Sequence, residues 1–192
     1  MKRTVMFFMM MLLLGLTASI AQTDEKPYYT SLRIGASFPK DYGDISNTKL
    51  EFDAGVNLSA AVGMRLQQTV RLELEGSYRK ADANKRVSGS TSTNLDGDVT
   101  IKTLMGNIYW DLPVKLQMQP YLVGGVGVGW GNVSVSGEND HRTDLAYQVG
   151  GGFSYDLSDK VTADIGYRYF GMQYPVVNIG VHEFLVGLRY GF

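Results

Sequence analysis

The chain has 192 residues, 44% of them hydrophobic, with 18 Lys and Arg against 19 Asp and Glu and no cysteine. That length suits one domain, the balanced charge argues against a nucleic-acid or other polyanion partner, and the missing cysteines exclude a disulfide-stapled scaffold. Stability must then come from a closed hydrogen-bonded fold or from the solvent around it.

The first segment reads as a secretory signal peptide, residues 1–21. Lys2 and Arg3 precede an apolar run from Val5 to Leu16, and the small residues Ser19 and Ala21 place the cut after Ala21. The run falls short of the roughly 20 apolar residues of a spanning helix. No cysteine follows it to carry a lipid anchor. The mature domain is expected over residues 22–192.

From Tyr28 onward the pattern has a period of two, the mark of strands with unlike faces. Eight segments follow. Tyr28–Phe38 sets Leu32, Ile34, Ala36 and Phe38 against Ser31, Arg33, Gly35 and Ser37. Glu51–Met64 sets Phe52, Val56, Leu58 and Val62 against Glu51, Asp53, Asn57 and Ser59. Val70–Arg79 sets Leu72, Leu74 and Tyr78 against Arg71, Glu73, Glu75 and Arg79. In Val99–Trp110 the apolar face holds Leu104, Ile108 and Trp110, opposite Thr103, Asn107 and Tyr109.

The fifth segment, Pro120–Gly131, reads PYLVGGVGVGWG. A dinucleotide fingerprint would need a third glycine at Trp130 or Asn132, and a phosphate loop needs a Gly-Lys pair that the chain lacks. Gly125, Gly127, Gly129 and Gly131 instead form one bare face of a strand, opposite Val126, Val128 and Trp130. Leu145–Leu157, Val161–Tyr169 and Val181–Phe192 complete the set. The last opposes Phe184, Val186, Leu188, Tyr190 and Phe192 to Leu185, Gly187, Arg189 and Gly191.

Links after the second, fourth and sixth segments are short; the longest link is Ala81–Asp98. Alternate long and short links describe an antiparallel up-and-down meander with its long loops at one end. The polar faces carry Arg33, Arg71, Glu73, Glu75, Asp164, Arg168 and Arg189, whereas the apolar faces are uncharged through their middles and aromatic toward their ends. A water-soluble barrel shows charges outside. The pattern fits an all-β, eight-stranded antiparallel transmembrane β-barrel with its apolar face against lipid.

Gly166-Tyr-Arg-Tyr169, the terminal Gly187-Leu-Arg-Tyr-Gly-Phe192, and Pro120-Tyr121 before the glycine strand carry a family resemblance. The chain from Tyr28 to Phe192 resembles the small eight-stranded outer-membrane β-barrel proteins, the group of the opacity-type proteins and the barrel domain of outer membrane protein A. The resemblance implies residence in the outer membrane of a Gram-negative bacterium, among lipid and lipopolysaccharide. It implies recognition of Tyr190 and Phe192 by the barrel-assembly machinery, and host or surface ligands at four exposed loops. With the chain ending at Phe192, no peptidoglycan-binding domain is expected after the barrel.

An eight-stranded lumen is just wide enough to be filled by side chains, so the bare face of the fifth strand is expected to leave room for Tyr29 and Arg33 across the ring. Arg71, Glu73, Glu75 and Arg79 on the third strand face Asp164 and Arg168 on the seventh. Buried charges need partners, and these six are expected to form an ion-pair network that plugs the lumen. The alternative is a narrow pore for ions or small solutes.

Enzyme and metal signatures are weak, and no catalytic residue, metal or cofactor is expected. After His182-Glu183 an H-E-x-x-H motif would need histidine at Val186. Barrel-borne lipid A deacylases pair a histidine with a serine, and no serine follows His182. His141 sits among Glu138, Asp140 and Asp144 in what reads as a solvated loop. Asn94-Leu-Asp-Gly-Asp98 has Thr103 where a calcium loop needs its bidentate glutamate.

Overall fold

The computed structural model describes residues 27–39, 42–43, 48–52, 54–88, 91–114, 116–135, 138–173 and 179–192. The expected signal peptide and Asp53 lie outside the described residues. Strands in chain order are β1 (Tyr28–Pro39), β2 (Tyr42–Gly43), β3 (Thr48–Phe52), β4 (Gly55–Gln67), β5 (Val70–Ser88), β6 (Thr91–Asp111), β7 (Gln119–Val135), β8 (Glu138–Asp156), β9 (Val161–Met172) and β10 (Ile179–Gly191).

Eight of them, β1 and β4 to β10, pair antiparallel with their neighbours, and β10 returns to β1 through Tyr29↔Gly191 to Pro39↔Val181. The sheet therefore closes. Stepping across the ladders from Tyr29 through Gly63, Glu73, Asn107, Gly125, Gln148, Phe170 and Val181 arrives back on β1 at Pro39. That is a stagger of 10 residues (39 − 29), which tilts the strands to roughly 35–45° and sets a lumen filled by side chains.

Alternation sends polar residues in and apolar residues out, the reverse of a water-soluble barrel. Glu75, Glu183 and Asn57 are fully buried, while Leu32 is 69% and Val126 64% exposed. The apolar wall is bounded by two aromatic girdles. Tyr28, Trp110, Tyr155, Tyr190 and Phe192 mark the end of the short turns; Tyr78, Trp130, Phe38 and Tyr147 mark the end of the long hairpins.

Three differences from the sequence pattern stand out. The second segment is two strands: β3 lies between β2 and the upper part of β5, with a register shift at Glu51/Phe52, and β4 carries the wall. The link Ala81–Asp98 is ladder, paired from Ala81↔Val99 to Ser88↔Thr91. Likewise β7 and β8 stay paired as far as Val135↔Glu138, so residues 138–144 are strand. Polar residues at these hairpin ends look like loops because no apolar face is required above the membrane; backbone pairing alone extends the ladders.

The glycine row of β7 is also filled differently. A Cβ at Gly125 would strike Asn107 Oδ1 on the adjoining β6, and one at Gly129 would lie 2.9 Å from Met172 Sδ. Tyr29 and Arg33 press instead on Gly63 and Gly187, the glycines on the strands flanking β1. In a steeply staggered ring, long side chains lean onto neighbouring strands before they reach the opposite wall.

Val126→Arg puts a charge on the middle of the apolar wall, at a cost of about 2–4 kcal/mol, whereas Val123→Thr faces the lumen. Urea unfolding in lipid vesicles is expected to show the first loss and a smaller one for the second.

Candidate functional site

Most charges of the lumen form one chain of alternating sign. It begins at the turn end, where Arg71 Nε and Nη2 donate to Asp111 Oδ2 and Oδ1 at 2.8 and 2.7 Å. Arg71 Nη1 also lies 3.8 Å from Glu73. Arg33 Nη2 donates to both Glu73 oxygens at 2.7 and 2.9 Å, and its Nη1 reaches Glu75 at 3.3 Å. Arg168 Nη1 spans Glu75 at 2.9 and 3.0 Å while its Nε donates to Glu183 at 2.8 Å. Arg79 Nε closes the series on Glu183 at 2.7 Å.

Neutral donors complete the carboxylates. Tyr29 Oη donates to Glu73 at 2.9 Å, and Asn57 Nδ2 donates to Glu183 at 2.6 Å. The guanidiniums also stack: Arg71 lies 4.5 Å from the Tyr109 ring centroid and Arg79 3.9 Å from that of Phe170. Such contacts favour a cation held out of water. Apolar clusters cap both ends of the series. Ile101, Met105, Phe170 and Met172 pack at the hairpin end, and Tyr109, Tyr121 and Val123 at the turn end. A void bounded by Arg33, Tyr109, Tyr121 and Arg168 measures about 10 Å³, room for about one water.

Of the six expected lumen residues, Arg71, Glu73, Glu75, Arg79 and Arg168 meet in this chain. Asp164 does not join it. It pairs with Arg189 at 2.8 Å and accepts from Ser154 Oγ at 2.7 Å, because stagger sets it nearer the turn end than Arg168. The partners missing from the expected set are Arg33, Asp111, Glu183 and Arg189. Parity marks each of them: Glu183 precedes Leu185, Gly187 and Arg189 on one inward row, and Asp111 follows Asn107 and Tyr109.

On the exterior, His182 Nδ1 and Tyr167 Oη share a hydrogen bond of 2.6 Å, with the rings stacked at 5.9 Å. A tyrosine, not a serine, is the partner of this histidine. Tyr190 and Phe192 are 48% and 59% exposed at the turn end, and the Phe192 N–H donates to Tyr28 O at 3.0 Å. His141 stands opposite Asn132 in the β7–β8 ladder, its side chain outside the described set. Asn94–Asp98 runs within β6 as ladder rather than as a calcium-type loop. Among the described residues, no three His, Asp or Glu gather where they could hold a metal.

The closed ring, the inverted polarity and the paired girdles are matched by a family model, the outer membrane protein beta-barrel domain, over residues 8–192. The chain belongs to that family. An uncharacterized protein of Brucella abortus is 27% identical over 174 residues, 76% of this chain and 58% of the relative, so this outer-membrane barrel spans little more than half of that protein's length. RP828 of Rickettsia prowazekii, a candidate adhesin by name, is 21% identical over 93% of the barrel chain and 94% of its own. Among solved structures, Neisserial surface protein A superposes with a TM-score of 0.64 at 17% identity, covering 86% of this chain and 97% of that one. At that identity the likeness concerns the fold. In the family the short turns face the periplasm and the long hairpins face outward.

Arg168→Met leaves Glu75 and Glu183 each without a principal partner, a change that costs about 3–5 kcal/mol for a buried pair. Adding Glu75→Gln is expected to restore part of the loss. A double-mutant cycle by urea unfolding in vesicles measures both, and additive losses would mean the two groups do not interact.

Proposed function

We propose that this outer-membrane barrel is a sealed anchor that holds paired strands above the membrane for contact with an external surface. One observation carries the reading. On one side of the rim the ladders continue well past the wall, to Ser88↔Thr91 and Val135↔Glu138, while β8 meets β9 only from Ala146↔Met172. Ladders that continue beyond the wall carry their side chains clear of the bilayer, where an external surface can meet them. The candidate-adhesin name of RP828 supports the same reading.

The narrow-pore alternative is weaker. Eight strands leave no aqueous channel when the interior is packed, and the cross-linked guanidiniums and carboxylates lie in the path. Pure protein in a planar bilayer is expected to give no large, steady conductance steps; such steps would move the pore into first place. No reaction is assigned. The Tyr167–His182 pair has a tyrosine where the lipid A deacylases carry a serine.

Surface contact is tested by replacing residues 82–98, and separately residues 133–140, with an Asn-Gly turn. Ala81↔Val99 and Asn132↔His141 then still close their hairpins. Bacteria displaying the trimmed barrels are expected to lose attachment to host-cell or matrix-coated surfaces while the barrel keeps its heat-modifiable gel mobility. Undiminished attachment would remove the rim from the function.

For assembly, the proposal is that Tyr190 and Phe192 are read by the insertion machinery in the cell. Deleting Phe192 removes one backbone hydrogen bond, to Tyr28, so refolding from urea into detergent should be nearly unchanged. Insertion in cells is expected to fall, with the chain degraded in the periplasm. Normal insertion would reduce Phe192 to a girdle residue.

A further inference from the structure

The lipid-facing wall is uneven, and one part of it is charged. Among the outward-facing side chains described, the charged ones are Lys80 and Lys102, both exposed. Lys102 stands directly opposite Tyr78 on β5 and Trp130 on β7, so it lies in the outer aromatic girdle. Rings of that kind settle at headgroup level. Lys80 is one row further out, opposite Thr100. Among the described residues neither lysine takes part in an ion pair.

A furrow of about 1340 Å³ opens at Lys102 and Tyr78 and descends the outer wall past Gly76, Ala60 and Leu32 toward Tyr155. Small residues make it: Gly76 and Ala60 are opposite each other, and a Cβ on Gly76 would meet nothing within 4 Å. The furrow joins the headgroup level of one leaflet to the girdle of the other.

We infer that this furrow is a binding site for an acylated, phosphate-bearing lipid of the outer leaflet, its phosphate between Lys80 and Lys102 and an acyl chain along Gly76 and Ala60. Three physical points select that occupant. A concave apolar surface inside a bilayer is filled by hydrocarbon, which needs no hydrogen bonds. The two cations at its mouth stand at the level of the outer girdle, where an anionic headgroup is the group that complements them. A second copy is disfavoured, because a two-fold contact brings the same patch against itself and would bury like charges together. The inference rests on the outer-membrane reading of the barrel but not on its role in surface contact.

The test uses the mature chain refolded in an uncharged detergent, with barrel formation scored separately by gel mobility and bound lipid counted by native mass spectrometry. The probes are bis-phosphorylated lipid A, the same lipid stripped of both phosphates, and inorganic phosphate as competitor. Wild type is expected to retain the phosphorylated lipid over the stripped one by about 10- to 30-fold, given about a factor of five per lysine near a charged surface. Lys80→Gln with Lys102→Gln should abolish that preference. Gly76→Phe should displace both lipids, while Gly124→Phe, equally open but outside the furrow, should displace neither. Equal retention of the two lipids, indifference to the lysine changes, or displacement by inorganic phosphate alone would overturn the site. A dimer cross-linked across Gly76 would give the furrow to a second copy and overturn it too. A chain that forms no barrel in any lipid would instead strike at the membrane reading itself.

Discussion

Everything in this molecule depends on the closing ladder between β1 and β10. Inside hydrocarbon an unpaired N–H or C=O costs several kcal/mol, so a sheet can cross a membrane only if it has no edge. Eleven register pairs from Tyr29 to Pro39 remove both edges at once. Closure then decides what each side chain meets. Odd and even positions are divided between lipid and a lumen too narrow for bulk water, and the sequence follows that division with apolar residues outward and polar ones inward.

An enclosed lumen makes charge pairing a structural necessity rather than an ornament. Glu73, Glu75 and Glu183 each lie between two guanidiniums, and Tyr29 and Asn57 complete the first and the last of them. The series gains more than fill. It ties β1, β5, β6, β9 and β10 to one another across the interior, where hydrogen bonds between neighbouring strands cannot reach. A lumen packed with aliphatic side chains could be equally stable; polar contents keep the inward rows too hydrophilic to face lipid, which holds the register against a one-residue slip.

Much of the wall was legible from parity alone. The period of two from Tyr28 to Phe192 yields the strands and their outward rows, because one face meets hydrocarbon and tolerates almost no charge. Above the membrane that constraint disappears. Thr91 to Asp98 and Glu138 to Asp144 carry turn-like, polar compositions, and only backbone pairing makes them strands. Partner choice in the lumen was less legible for another reason: inward parity identifies Glu183 and Asp111 as lumen residues, but stagger decides which charges share a level. Asp164 and Arg168, four residues apart on β9, thus belong to different groups.

The cross-lumen pairing also constrains the order in which the barrel can be made. Glu75 comes from the first half of the chain and its partner Arg168 from the second; Arg79 and Glu183 are divided in the same way. A half-built sheet in a bilayer would therefore hold Arg79 without its carboxylate and Glu75 without the Arg168 bridge that joins it to Glu183. Hairpins cannot be added to the membrane one at a time without that penalty. The chain must gather its two halves before either is committed to lipid, so insertion and closure become a single event whose completion is registered by the neutrality of the interior.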